Sequence, residues 1–119
     1  MQAPLPQIRP NQLEAWRSAS VAQNPGQRAV LLDVREPWER QVSSVHPAGF
    51  ERIDIAMNDI PQRLAELDPA QPIACLCHHG TRSQRVALFL AQNGFAQVAN
   101  VAGGIDAWSR EHDAAVPLY

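Results

Sequence analysis

The chain has 119 residues, 45% hydrophobic and 18% charged, with a formal net charge of −2. That suits one compact domain spanning 1–119, excludes a disordered or coiled-coil chain, and argues against a nucleic-acid or anionic-membrane partner. All ten basic residues are arginine, which removes Schiff-base and Walker-type lysine chemistry.

Met1 to Pro10 holds three prolines and no apolar core of a signal peptide. The longest apolar run, Val86 to Ala91, is six residues, far short of a membrane span. The expected address is therefore the cytoplasm. Cys75 and Cys77 lie one residue apart, near the upper limit of disulfide Cα spacing on a strand, where a bond would be strained, and they read as free thiols.

Gln7 to Arg9 suits a short edge strand. Pro10 fits the first turn of a helix with Leu13 and Trp16 on one face, and Pro25-Gly26 marks a turn. Ala29 to Leu32 is a continuous apolar run ending in Asp33, the pattern of a strand buried on both faces. Pro37 opens a short helix to Val42, Ser43 to Gly49 is loop, and Ile53 to Ile55 is a weak strand. Asn58 begins a helix carrying Ile60, Leu64 and Leu67, closed by Asp68-Pro69. Pro72 to Leu76 is a second central strand, Cys77 to Arg82 a polar loop, and Ser83 to Asn93 a helix with Val86, Phe89 and Leu90 inward. Gly94 stops that helix, Val98 to Val101 is the last strand, and Gly103-Gly104 leads into a final helix with Ile105 and Trp108. This alternation predicts an α/β fold, a parallel sheet between helices, with ligands beyond the carboxyl ends of its strands.

Two strands end there in chemically loaded residues: Asp33-Val34-Arg35, and Cys77 followed by His78-His79-Gly80-Thr81-Arg82. Gly80 permits a tight backbone, and the loop amides have no strand or helix partner. With the helix N-terminus and Arg82, they favour thiolate over thiol and make a pocket for an anion. A cysteine so placed is either a nucleophile or a small core residue, and both readings stay open at this point. Cys75, two residues inside the strand, reads as core. Cys75, Cys77, His78 and His79 are all capable of binding zinc. Adjacent histidines and an i, i+2 cysteine pair do not readily close one tetrahedral shell, so no metal is expected.

The loop from Cys77 to Ser83 resembles the active-site loop of single-domain rhodaneses. Leu32-Asp33-Val34-Arg35-Glu36 resembles the upstream strand-end motif of that family, and Gly103-Gly104-Ile105-Asp106-Ala107-Trp108 resembles its Gly-Gly-x-x-x-Trp signature. The resemblance implies a five-stranded parallel sheet with helices on both faces, and persulfide chemistry needing no cofactor. Cys77 would take sulfur from a small anionic donor, thiosulfate or a persulfide, and pass it to a thiol or cyanide. A sulfur-relay protein is a further candidate partner. His78, His79, Gly80, Thr81 and Arg82 would meet the substrate, with Arg35 divided between substrate approach and bracing. Asp33, Ser83 and Trp38 would support the site, Trp38 as a wall of its mouth. Arg82 would hold anionic sulfur or pair with a carboxylate such as Asp33 or Glu36, and the side chains of His78 and His79 should face solvent.

Two rivals remain. One is a binding or regulatory module of the same fold with little turnover. The other is a cysteine-dependent phosphatase or arsenate reductase. The related phosphatases place one more residue between cysteine and arginine than the four found here, and a shorter cradle suits one sulfur better than a tetrahedral phosphate.

Overall fold

A computed structural model describes residues 5–119. Met1 to Pro4, part of the stretch read for a signal peptide, lie outside the described residues. Five strands form one sheet: β1 (Gln7–Ile8), β2 (Ala29–Asp33), β3 (Phe50–Asp54), β4 (Ile73–Leu76) and β5 (Val98–Val101). The order is β1-β5-β4-β2-β3 and every pairing is parallel. The helices are α1 (Leu13–Gln23), α2 (Pro37–Val42), α3 (Ile60–Arg63), α4 (Thr81–Gln92) and α5 (Gly104–Ala107).

Side chains alternate across a strand, so a sheet covered on both faces needs apolar residues at every position. β2 and β4 satisfy this and are buried throughout. Val30, Leu32, Val34, Ile73, Cys75 and Cys77 share one face with Ile60 of α3 and with Val86, Ala87 and Leu90 of α4. Ala29, Leu31, Ala74 and Leu76 share the other with Leu13 of α1 and with Ile105 of α5 and Trp108. The same alternation turns Cys77 toward the α4 face. β2 and β4 are neighbours, Leu32 opposite Cys75, and Cys75 lies opposite Asn100 of β5. All strands being parallel, the ends of β2, β4 and β5 open onto one edge.

Several boundaries differ from the sequence reading. β3 starts at Phe50, not Ile53; as an edge strand it is only part-buried and lacks a continuous apolar run. Pro10 opens a 3₁₀ turn, and α1 follows at Leu13. The segment from Met57 to Glu66 is 3₁₀ turn, one turn of α-helix at Pro61, then 3₁₀ turn again, rather than one helix. The helix after the cysteine begins at Thr81, because Gly80 takes the left-handed cap position at φ 101°. The last helix passes at Trp108 into a π-helical turn ending at His112. Among the described residues, no helix is long and apolar enough to cross a membrane.

Candidate active site

The first turn of an α-helix leaves its N–H groups without helical partners. In α4 one of these, the Ser83 amide, points at Cys77 Sγ at 3.3 Å. The Gly80 amide points there at 3.0 Å and the Ser83 hydroxyl at 3.2 Å. Cys77 thus occupies the place of a capping side chain at the positive end of a helix dipole. The donor set is that needed to hold negative charge on sulfur. Cys77 is only 1% exposed, so the loop closes over the sulfur. The sequence reading pictured a more open pocket. Above the loop lies a shallow cavity of about 440 Å³, lined in part by His79, Gly80, Thr81 and Gly103.

α5 holds this loop from behind. The amides of Ile105 and Asp106 donate to the carbonyls of Cys77 (2.9 Å) and His78 (3.0 Å). Gly104 makes that approach possible: at φ 63°, a Cβ there would stand 2.4 Å from the His78 oxygen and 2.5 Å from the Cys77 oxygen. Asn100 fixes the far side. Its amide nitrogen donates to Gly80 O (3.2 Å) and Gln7 Oε1 (2.9 Å), and its oxygen accepts from the Ser83 hydroxyl (2.5 Å). That hydroxyl has one proton and two acceptors in reach, Asn100 and the sulfur.

Arg35 and Arg82 both pair with carboxylates. Arg82 forks onto Glu39, both contacts 2.7 Å, and not onto Asp33 or Glu36. Glu36 lies on the outside as the N-cap of α2, while Glu39, one turn on, faces inward. Arg35, divided by the sequence reading between substrate approach and bracing, is fully buried. Its guanidinium grips Asp33 at 2.7 and 3.0 Å and reaches the Glu39 carbonyl and the Tyr119 hydroxyl. Four of its five N–H donors are taken up within the chain, which ties the end of β2 to α2 and Tyr119. Tyr119, absent from the sequence reading, completes the chain by donating to Glu39 at 2.9 Å.

The Tyr119 ring also stacks on His78 at 3.9 Å and meets Trp38 edge-on. His78 is therefore half-buried between Tyr119 and His79, not turned to solvent, whereas His79 and Thr81 are exposed. Burial and the neighbouring His79 hold the His78 imidazole below its ordinary pKa. Trp38 is 60% exposed at the edge of this row of rings. Cys75 is completely buried, and burial pushes its thiol far up.

The Arg82 fork, opposed by burial, holds the Glu39 carboxyl at about 2 against an ordinary 4.5. A pKa lowered by folding gives stability that is complete above the ordinary value and is lost as pH falls toward the folded one. The wild-type chain should therefore lose roughly 2 kcal/mol of urea stability between pH 4.5 and 2 beyond what Glu39→Gln loses, the figure being discounted for the part-exposed arginine. Equal pH slopes for the two proteins would show that the pair contributes nothing.

The sequence matches the Rhodanese-like domain family over residues 15–111. The chain belongs to that family. Its rhodanese relatives include thiosulfate sulfurtransferase GlpE of Stutzerimonas stutzeri (strain A1501), 30% identical over 112 residues that cover 89% of this chain and 92% of the relative. The Rhodanese-like/PpiC domain-containing protein 12, chloroplastic, of Arabidopsis thaliana is 37% identical over 93 residues, 76% of this chain but 30% of that longer protein. A rhodanese-related protein from Thermoplasma volcanium superimposes with a TM-score of 0.71 at 28% identity, covering 96% of this chain and 99% of that one. The five-stranded parallel sheet expected from the motifs is the fold these rhodanese structures share.

Proposed function

We propose that this rhodanese-like chain is a sulfurtransferase in which Cys77 carries the moving sulfur as a persulfide. The observation that supports this best is the convergence of the Gly80 amide, the Ser83 amide and the Ser83 hydroxyl on Sγ. In the first half-reaction the Cys77 sulfur anion attacks the outer sulfur of thiosulfate. The S–S bond of the donor breaks, sulfite leaves with the electron pair, and Cys77–S–S⁻ remains. In the second, cyanide or a thiolate attacks the outer sulfur, forming thiocyanate or a new persulfide and returning the Cys77 anion. The amide cradle stabilises whichever sulfur bears the charge, and the kinetics are ping-pong.

Two features favour the second reading, a regulatory module with little turnover. Cys77 is enclosed, and the guanidinium groups of Arg35 and Arg82 are already matched to carboxylates. Mass spectrometry separates the two readings. Incubation with thiosulfate, or with a low-molecular-weight persulfide, should add one sulfur to the intact chain, and cyanide should remove it. A chain that stays unmodified by both donors would exclude the transferase and favour the module.

A further inference from the structure

Beside the sulfur cradle, and not used by it, stands a second cluster. His78, His79 and Asp106 each offer one ligand-capable atom, and these atoms lie within 4.8 Å of one another. We propose that these three side chains form a binding site for a divalent ion of the zinc class at the rim of the Cys77 loop. Persulfide chemistry is not required for it.

The backbone sets the geometry. The Asp106 amide is bonded to the His78 carbonyl at 3.0 Å, so the two residues are held together whatever their side chains do. The His78 ring is clamped between Tyr119 and His79, each centroid 3.9 Å away. Its Nε2 is shielded from solvent and has no hydrogen-bond partner among the described residues. A buried polar nitrogen left unsatisfied is unusual and calls for a reason. Ligand atoms around a tetrahedral ion with bonds of about 2.0–2.1 Å sit about 3.4 Å apart, so closure needs the exposed His79 ring to swing out of its stack on His78 and the Asp106 carboxylate to turn. The competitor for that carboxylate is Arg110, an i, i+4 partner at 3.0 Å whose side chain is 62% exposed and easily displaced.

Two imidazoles and one carboxylate are borderline ligands. They suit zinc and its transition-metal neighbours, and not calcium or magnesium, which take oxygen. Three protein ligands leave a fourth position open. The set differs from that weighed in the sequence: Cys77 is turned into its cradle and Cys75 is beneath it, while Asp106 supplies the third arm from α5. A bound ion would add positive charge at the rim of the Cys77 loop, where the charges of Arg35 and Arg82 are already matched to carboxylates.

Calorimetric titration of the full chain with Zn²⁺ should find one equivalent bound. His79→Gln and Asp106→Asn, both at accessible positions, should each weaken binding at least about tenfold. Cys77→Ser should leave it within about twofold, since the sulfur is not a ligand here. No binding, binding unaffected by His79→Gln and Asp106→Asn, or binding lost in Cys77→Ser would each overturn the site. Cyanide-removable sulfur on Cys77 is measured without added metal, so a failure of either assignment leaves the other standing.

Discussion

Cys77→Ser should take up no sulfur from thiosulfate or from a persulfide, and its thiocyanate-forming rate should fall by at least about 10³-fold. The substitution is small. A serine oxygen at position 77 can accept from the same Gly80 and Ser83 donors, so the fold and the loop should persist. What it lacks is a polarisable atom able to attack sulfane sulfur and to leave again. Cys75 cannot substitute, because burial pushes its thiol far up and holds it in the protonated form. Cys75→Ala should accordingly still gain one sulfur. Retention of sulfur by Cys77→Ser, with loss in Cys75→Ala, would move the nucleophile and overturn the mechanism.

The second large effect belongs to a residue with no side chain. Gly104→Ala should cost about 2–4 kcal/mol of stability in urea and at least about 10²-fold in sulfur transfer. The left-handed backbone at φ 63° accounts for part of the stability loss. The rest comes from a methyl group pressed to within 2.5 Å of two main-chain oxygens that cannot move without carrying the loop along. Displacement breaks the Ile105 and Asp106 contacts that hold the loop from behind. Gly94→Ala is the matched comparison, at φ 90° with nothing among the described residues within 4 Å of the added carbon. It should lose only about 1 kcal/mol and keep its activity. Similar behaviour of the two variants would mean that backbone conformation, and not the contact, sets the role of Gly104.

The parts of the fold that the sequence made legible are those where one local pattern has one physical solution. Ala29 to Leu32 and Ile73 to Leu76 are apolar at every position, and only a doubly covered strand uses such a run. The loop was legible for the same reason: a cysteine, a glycine and an arginine between a strand and a helix leave the amides few directions. β3 was misplaced because Phe50 to Arg52 alternates weakly on an edge. The helix expected from Asn58 breaks into short turns around Pro61, where periodic apolar residues alone suggested continuity.

The site was less legible, because its ties are long in sequence. Glu39 meets Arg82 across 43 positions and Tyr119 across 80. A signal for Glu39 did exist, in the Glu36-x-x-Glu39 spacing of a capping box. Another marked Asn100, a polar residue in the middle of an otherwise apolar strand. No local pattern distinguishes Arg35 from Arg82. Which of them is sealed and which stays at the mouth follows from where α2 and Tyr119 pack.

The grip on the Cys77 loop comes from Asn100, Ile105 and Asp106, all made after the cysteine itself. During synthesis, a nascent chain that has just emerged through α4 therefore carries Cys77, all three of its donors and the Arg82–Glu39 fork, but none of the contacts that hold the loop from behind. If Cys77 carries sulfur as proposed, reactivity and tertiary closure arrive as one event, and a truncated fragment ending before β5 should take up no sulfur.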